Sequence, residues 1–459
     1  MKKLTLFTLC LITFSCFAQS KPDSLRITLQ QAIEIALNEN PSMRIADRTI
    51  ETKKDYRKEQ IVGLFPNVTG AASYQRTLQK QKTVMDFSFL NDMFNNFLDR
   101  LGMDHMPDRP AEPMEIGTYN NMVFSANLSL PIIAPALWNI VKLTAMDIDL
   151  AVEQARSSRI ATINNIKKAY YAVLMTQESY KVLMSNYDNV KQNAQLVTDK
   201  YNQGLVSEFD KLRADVQVHN VKPNINAALN ALDLSQKALK IYMGVDVFEP
   251  MIFVGELKDF EAEMEAAKLP EKNALTLDNN TDLKQMDMAI QQLERSRKIV
   301  LASACPMLAL SGSFQYMTMG DDIPANEFKW FPTSVIGVSL QVPIVSWAST
   351  IYKNKQIKYS IQNMNDNRLN VERMLWLSVS NNLSNIDKAI ADFESSSESV
   401  KMAARAYNIA QRQYEVGLAT WLQLSDVELA LLRSQLLYYQ SVYDYLVAQA
   451  ELEYVLGRD

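Results

Sequence analysis

Lys200-Tyr201-Asn202-Gln203-Gly204-Leu205 comes back as Gln413-Tyr414-Glu415-Val416-Gly417-Leu418, at an offset of 213 that sets Tyr201 on Tyr414 and Gly204 on Gly417. Each copy closes a long stretch of helical periodicity with a glycine, the residue that most readily takes the left-handed conformation past a helix end. The same offset pairs Gly244 with Gly457. Toward the N-terminus, Leu130-Pro131-Ile132 matches Val342-Pro343-Ile344 at an offset of 212. Residues 40 to 75 lie over 280 to 315 at an offset of 240 with eight identities and no gap: Asn40, Asp47, Ile50, Arg57, Lys58, Pro66, Ser73 and Gln75. The chain is one unit of about 210 residues written twice, and such self-similarity outranks any local reading.

Both copies keep one order of segments. A helical segment over about 30 to 63, and again over 279 to 304, runs into Pro66 or Pro306, where the apolar periodicity changes to alternation. Two strands follow, about 66–75 with 122–131 and about 307–317 with 333–343, the second of each pair ending at Pro131 or Pro343. A helix of unusual length comes next, about 140 to 200 and 347 to 413, then a turn at Gly204 or Gly417 and a return helix, about 208 to 242 and 421 to 456. At about 1.5 Å per residue the long helices reach roughly 90 to 100 Å. Opening and return helices, laid end to end, equal the long one and can run beside it as its antiparallel partner. Ala403, Ala404 and Ala410 permit close helix approach, and Leu383, Ile386, Ile390 and Phe393 form an apolar stripe. Pro223 should kink the first return helix.

The strands alternate apolar with small polar residues. Phe124, Ala126, Leu128 and Leu130 oppose Ser125, Asn127 and Ser129; Ile336, Val338, Leu340 and Val342 oppose Gly337, Ser339 and Gln341. The same alternation runs through Leu308, Leu310, Phe314 and Tyr316 and, more weakly, Val68, Ala72 and Tyr74. A soluble sandwich with one wet face fits any single strand. Polar faces of Ser, Thr, Asn and Gln, with hardly a charge, fit a water-filled barrel lumen. Four strands cannot close a barrel, since about eight is the practical minimum, so a barrel requires several protomers.

Residues 1–18 read as a secretory signal peptide: Lys2 and Lys3, an apolar run from Leu4 to Phe17, and Ala18 as the cleavage point. Lipidation at Cys16 is the alternative, against which the preceding Thr13-Phe14-Ser15 makes a poor signal. Cleavage removes Cys10 and Cys16 and leaves Cys305 alone, which excludes an intrachain disulfide and suits a small core residue. Loss of two lysines moves the net charge from -5 to -7, and an acidic chain without a basic cluster argues against nucleic acid. The two histidines, His105 and His219, stand in different segments, and the twelve glycines form no phosphate loop. No catalytic, cofactor or metal site emerges. Past the signal no apolar run is long enough for a spanning helix, so any crossing of a bilayer uses strands. The loop over about 76 to 121 carries Phe89, Leu90, Met93, Phe94, Phe97, Leu98 and Leu101 at helical spacing, which predicts a short amphipathic helix.

Leu29-Gln30-Gln31-Ala32-Ile33-Glu34-Ile35-Ala36-Leu37-Asn38-Glu39-Asn40-Pro41, the prolines Pro66 and Pro306 before the strand pairs, and Tyr414-Glu415-Val416-Gly417-Leu418 at the second turn stand in the order of a known family. In these features the chain resembles the TolC outer-membrane efflux family over essentially the whole mature sequence, as repeat 1 (19–243), a linking segment (244–278) and repeat 2 (279–459). The resemblance implies a mainly α fold with transmembrane β: a homotrimer in which four strands per protomer form a twelve-stranded outer-membrane β-barrel continuous with a long periplasmic α-helical barrel. It implies a passive exit duct of a tripartite efflux or type I secretion system, in the outer membrane of a Gram-negative bacterium and in contact with its lipid. An inner-membrane transporter of RND or ABC type would act on the duct through a periplasmic adaptor, with no cofactor. Gly204, Leu205, Val416, Gly417 and Leu418 match the helical tips that meet the adaptor. Asp426, Gln423, Asp210 and Tyr414 are the periplasmic gate candidates. Gln423 stands where the family often has aspartate, and Ala419 where an arginine can occur, which implies a less charged gate or one held by other contacts. Capping is the other reading of Asp210 and Gln423, because Ser207-x-x-Asp210 and Thr420-x-x-Gln423 both fit the capping box. The competing class is a secreted periplasmic coiled-coil scaffold or adaptor with a soluble sheet.

Overall fold

The computed structural model describes residues 25–84, 88–105, 107, 113–266, 275–322, 329–344 and 347–458. The expected signal peptide, with Cys10 and Cys16, lies outside them. In chain order the first repeat contributes β1 (Leu25–Ile27), α1 (Leu29–Glu39), α2 (Pro41–Val62), β2 (Asn67–Arg76), β3 (Gln81–Val84), α3 (Ser88–Leu101), β4 (Pro113–Ile116), β5 (Asn120–Ile133), α4 (Pro135–Asn202) and α5 (Glu208–Met243). After β6 (Met251–Phe253), a 3-10 turn at Leu257–Phe260 and α6 (Glu261–Ala266), the second repeat adds α7 (Thr281–Ala302), β7 (Met307–Gly320), β8 (Phe331–Gln341), α8 (Trp347–Glu415) and α9 (Trp421–Val455). The chain divides into two compact units, one of residues 1–54, 146–291 and 361–459, the other of 55–145 and 292–360.

The second unit holds an antiparallel sheet in the order β2-β5-β7-β8, one strand pair from each repeat. Register puts Phe124 beside Tyr316, Leu128 beside Gly312 and Gly312 beside Ile336, and Leu130 beside Leu310 and Leu310 beside Val338, so these strands share one apolar face. Ser125 with Gln315, Asn127 with Ser313 and Ser129 with Ser311 line the other. Many of the apolar residues remain exposed, Phe124, Phe314, Ile336, Val338 and Leu340 among them. Trp330 stacks on Tyr316 at 5.2 Å and meets Phe124 at 5.6 Å, an aromatic cluster at one end of this apolar face. At the same end Lys80 pairs with Asp321 at 2.8 Å, and Asn120 takes the Tyr74 hydroxyl at 2.9 Å while donating to the Asp321 carbonyl. The outer edges of β2 and β8 pair with no strand among the described residues.

Pro66 and Pro306 stand directly before β2 and β7. Pro131 does not end its strand as expected: β5 runs on to Ile133, with a register shift between Pro131 and Ile133 that absorbs the missing amide. Pro343 lies beyond the last residue of β8, Gln341. Pro332 falls inside β8 opposite Tyr316, which an edge strand tolerates. Cys305 is exposed rather than a core residue, because it sits in the turn that leaves α7, its amide bonded to the Ala302 carbonyl.

In the first unit the helix expected over about 30 to 63 is two helices, broken at Asn40. Pro41 cannot continue α1, drives Asn40 to extended backbone (φ -65, ψ 126), and opens α2 at the position where its missing N–H costs nothing. α5 runs unbroken past Pro223. The opening helices meet the return helices end to end. Asn40 donates to the Tyr242 carbonyl at 2.6 Å in the last turn of α5 and accepts from the Ser42 amide at 2.7 Å in the first turn of α2. Its repeat partner Asn280 donates to the Val455 carbonyl of α9 at 2.8 Å and accepts from the Asp282 and Leu283 amides. Gly244 and Gly457, both at positive φ, let the chains pass: an added Cβ would stand 2.7 Å from Asn40 Cα in one case and 2.1 Å from the Asn279 oxygen in the other.

The core of this unit gathers Ile166, Tyr170 and Leu174 from α4, Ile386 and Phe393 from α8, and Val442, Tyr445 and Leu446 from α9. The stripe read from the sequence is there, with Leu383 and Ile390 packed against it. The segment 244–278, read from the sequence as a linker or equatorial segment, supplies Phe253, Leu257, Met264, Leu275 and Leu277 to the same core. β6 pairs in parallel with β1, and the Tyr170 hydroxyl joins both by donating to the carbonyls of Ile27 and Val254.

Candidate functional site

The two repeated turns, 203–207 and 416–420, lie in the first unit and close α4 into α5 and α8 into α9. The Gly204 amide bonds the Tyr201 carbonyl at 2.9 Å and the Leu205 amide bonds Lys200 at 2.9 Å; Gly417 to Tyr414 (3.2 Å) and Leu418 to Gln413 (2.8 Å) repeat the pair. This double closure satisfies helix-end carbonyls and requires positive φ at the glycine, observed at 74° and 79°. Space plays no part, because nothing lies within 4 Å of a Cβ added at either glycine. The closure turns Leu205, Val416 and Leu418 outward, Leu418 being 80% exposed.

Between the turns lies a groove of about 810 Å³ bounded by Lys200, Asp210 and Arg213 on one side and Tyr414, Glu415 and Thr420 on the other. Lys200 fastens the two sides, its ammonium donating to the Tyr414 carbonyl and standing 4.5 Å over the Tyr414 ring. In the groove wall Tyr414 and Trp421 meet edge to face at 6.0 Å, and both join a small core with Ala194, Val197, Ala214, Tyr407, Ala410 and Leu424. Ser425 of α9 donates to Gln217 of α5 at 2.9 Å.

The expected gate residues fall into two groups. Asp210 and Tyr414 both border the groove, and burial together with the Asp210 charge raises the Tyr414 phenol above its ordinary range. Gln423 and Asp426 are exposed on the first turns of α9 and do not line the groove. Gln423 completes a capping box, its side chain accepting from the Thr420 amide at 2.8 Å while Thr420 Oγ1 accepts from the Gln423 amide at 3.3 Å. Asp210 forms half of one: its amide reaches Ser207 Oγ at 3.2 Å, while its carboxylate takes the Ser207 hydroxyl at 2.7 Å instead of the backbone amide. Aspartate is one methylene shorter than the glutamate or glutamine the box uses.

A buried polar cluster below the groove was not anticipated. Asn193 of α4 donates to the Tyr407 hydroxyl of α8 at 3.2 Å and, at 3.5 Å, to Glu428 of α9. Its signal was an acid inside an apolar stripe, Trp421, Leu424, Glu428 and Leu431, at spacings of three and four. Burial pushes the Glu428 carboxyl up to about 7, against the Asn193 hydrogen bond, which lowers it.

Among the described residues no group of His, Cys, Asp and Glu could hold a metal ion, and no helix is long and apolar enough to cross a membrane. The family described as outer membrane efflux protein matches residues 32–245 and 274–458. The outer membrane protein TolC of Escherichia coli K12 is 21% identical over 401 residues, 83% of this chain and 79% of the relative. In fold the chain is similar to the Campylobacter jejuni CmeC outer membrane channel, with a TM-score of 0.71 at 17% identity over 94% of this chain and 85% of that one. It is also similar to the outer membrane protein VceC of Vibrio cholerae, with a TM-score of 0.69 at 15% identity, covering 94% and 96%.

Proposed function

The chain belongs to the outer membrane efflux protein family, and from that premise we propose that it is the passive exit duct of a tripartite efflux or secretion assembly, acting as a homotrimer. One observation carries the trimer: a four-stranded sheet with an exposed apolar face, a polar opposite face and two unpaired edges, β2 and β8. A sheet of four strands cannot close alone, and pairing β8 of one copy with β2 of the next closes twelve strands, above the practical minimum of about eight. The apolar face then meets lipid, with Trp330, Tyr316 and Phe124 as an interfacial aromatic belt, and Ser125, Asn127, Ser311 and Gln315 line water.

The turns supply the periplasmic end. Exposed Leu205, Val416 and Leu418, held outward by Gly204 and Gly417, fit apolar contact with a periplasmic adaptor that couples the duct to an inner-membrane transporter. Asp210, Tyr414, Gln423 and Asp426 are proposed to set how far the turns part. Cargo crosses by diffusion, and no step of the process requires bond chemistry from this chain.

Membrane fractionation tests the reading. The protein should require detergent for extraction, run as a heat-modifiable trimer, and give ion conductance in planar bilayers. A monomer released by osmotic shock would overturn it. Replacing Leu205 and Leu418 together by aspartate should abolish adaptor cross-linking and leave the trimer intact; undiminished cross-linking would remove the docking role.

A further inference from the structure

Glu428 is 2% exposed on the third turn of α9, with Leu424 a turn before it. Oε1 has the single long contact to Asn193 Nδ2, and Oε2 has no partner among the described residues. The Tyr414 hydroxyl and Trp421 Nε1, buried in the small core at the groove wall, are likewise without partners. Buried polar atoms are almost always paired, so three unpaired ones on the facing ends of α8 and α9 call for an explanation. A buried carboxylate survives only with a cation or several donors; as a neutral acid it costs far less.

We propose that Glu428 lets α9 pack against α4 and α8 at the helical tip only as a neutral acid, and that losing its proton frees α9, so that parting of the turns is coupled to deprotonation. The coupling rests on the reading of the turns as the moving end of a duct. Asn193 faces the carboxyl from α4 and Tyr407 from α8; burial raises the Tyr407 phenol, so it stays neutral throughout. α5 brings Ala214 and Val218 to this core. On α9 the polar groups nearest in sequence are Ser425, bonded to Gln217, and exposed Asp426. No lysine, arginine or histidine pairs with Glu428 among the described residues.

The direction follows from linkage. Packed, the carboxyl holds its proton to about 7; set free in water it returns to the ordinary value of 4.5. Below the lower value both states are protonated and packing is complete. Between the two, each rise of one pH unit shifts the balance toward the freed state by up to about tenfold, and above the upper value the shift levels off.

Native-state hydrogen exchange on the full-length protein in detergent, corrected for intrinsic rates, tests this between about pH 5 and pH 8. Amides of residues 421–432 should lose protection by more than about tenfold as pH rises. Glu428→Gln, neutral and of the same size, should hold the acid-side protection at every pH. Constant protection in the wild type, or an undiminished fall in Glu428→Gln, overturns the proposal. Asn193→Leu, which removes the hydrogen bond favouring the ionised form, should carry the upper end of the fall to higher pH and deepen it; an unmoved upper end also overturns the proposal. Exchange needs neither bilayer nor partner, so it separates the two readings. Conductance should rise with pH in the wild type and stay flat in Glu428→Gln. Flat wild-type conductance with the exchange step intact overturns the coupling to the duct.

Discussion

α5 and α9 are the same helix in the two repeats, and the chain treats them differently. α9 buries Trp421, Leu424, Tyr439, Val442, Tyr445 and Leu446 along its length, whereas α5 buries Ala214 in its first half and Leu239, Lys240 and Met243 only in its last turns. Leu212, Val216, Leu229 and Leu234 of α5 stay exposed. Duplication thus gave two rods of one register and two uses: α9 packs inside its own chain, and α5 leaves an apolar face that the proposed trimer would cover. The difference also places Glu428 on the return helix that buries more of its length in its own chain.

The sharpest way to break this comparison is at the ends where return helix meets opening helix. Gly457→Ala would set a Cβ 2.1 Å from the Asn279 oxygen, which Arg156 holds at 3.2 Å, and would force alanine to φ 68. We expect a loss of about 4 kcal/mol from backbone strain and the displaced carbonyl together. Gly244→Ala meets backbone at 2.7 to 2.9 Å, including the Glu39 oxygen that Arg44 holds at 3.1 Å, and because its closest approach is 2.7 rather than 2.1 Å it should lose about 2 to 3 kcal/mol. Denaturant midpoints in detergent measure both. Equal losses would mean that the two junctions are held alike.

The mid-sized test compares one buried with one exposed leucine. Leu424 is 0% exposed under the turns and Leu212 is 55% exposed on α5. Leu424→Ala should cost about 3 kcal/mol wherever it is measured. Leu212→Ala should cost under about 0.5 kcal/mol in dissociated protomers. A larger cost for Leu212→Ala in the trimer would show that a neighbour covers α5, and an unchanged one that it does not.

What the sequence disclosed, and what it hid, divides by distance along the chain. Gly204 and Gly417, the alternation in β5 and β8, and Thr420 with Gln423 act over a handful of neighbours, so spacing alone located them. The break at Asn40 was hidden because apolar periodicity continues through Pro41, and a proline at a helix start leaves no irregularity in that pattern. Pro131 misled for the opposite reason: a proline reads as a stop, and the bulge that lets β5 continue depends on its partner β7. β1 and β6, three residues each, carry no periodicity to detect. At the tip, Glu428 was visible as an acid in an apolar stripe, but Asn193, which gives it meaning, lies 235 residues away.

The smallest effect separates the two turns themselves. Thr420 and Gln423 satisfy two amides reciprocally, whereas Ser207 satisfies one, because the Asp210 carboxylate ends on the Ser207 hydroxyl and cannot reach back to the amide. Thr420→Ala removes the side chain that holds Gln423 in place and should cost about 1 kcal/mol, against about 0.5 kcal/mol for Ser207→Ala, read as fraying of amides 421–424 and 208–211 by hydrogen exchange. The cause assigned here is side-chain length, which gives the comparison a second arm. Asp210→Glu adds the missing methylene, so it should complete the box and slow exchange at Ser207 toward the rate at Thr420. If it does not, the asymmetry between the turns has another origin, and the groove side of Asp210, where it faces Tyr414, is the place where that origin lies.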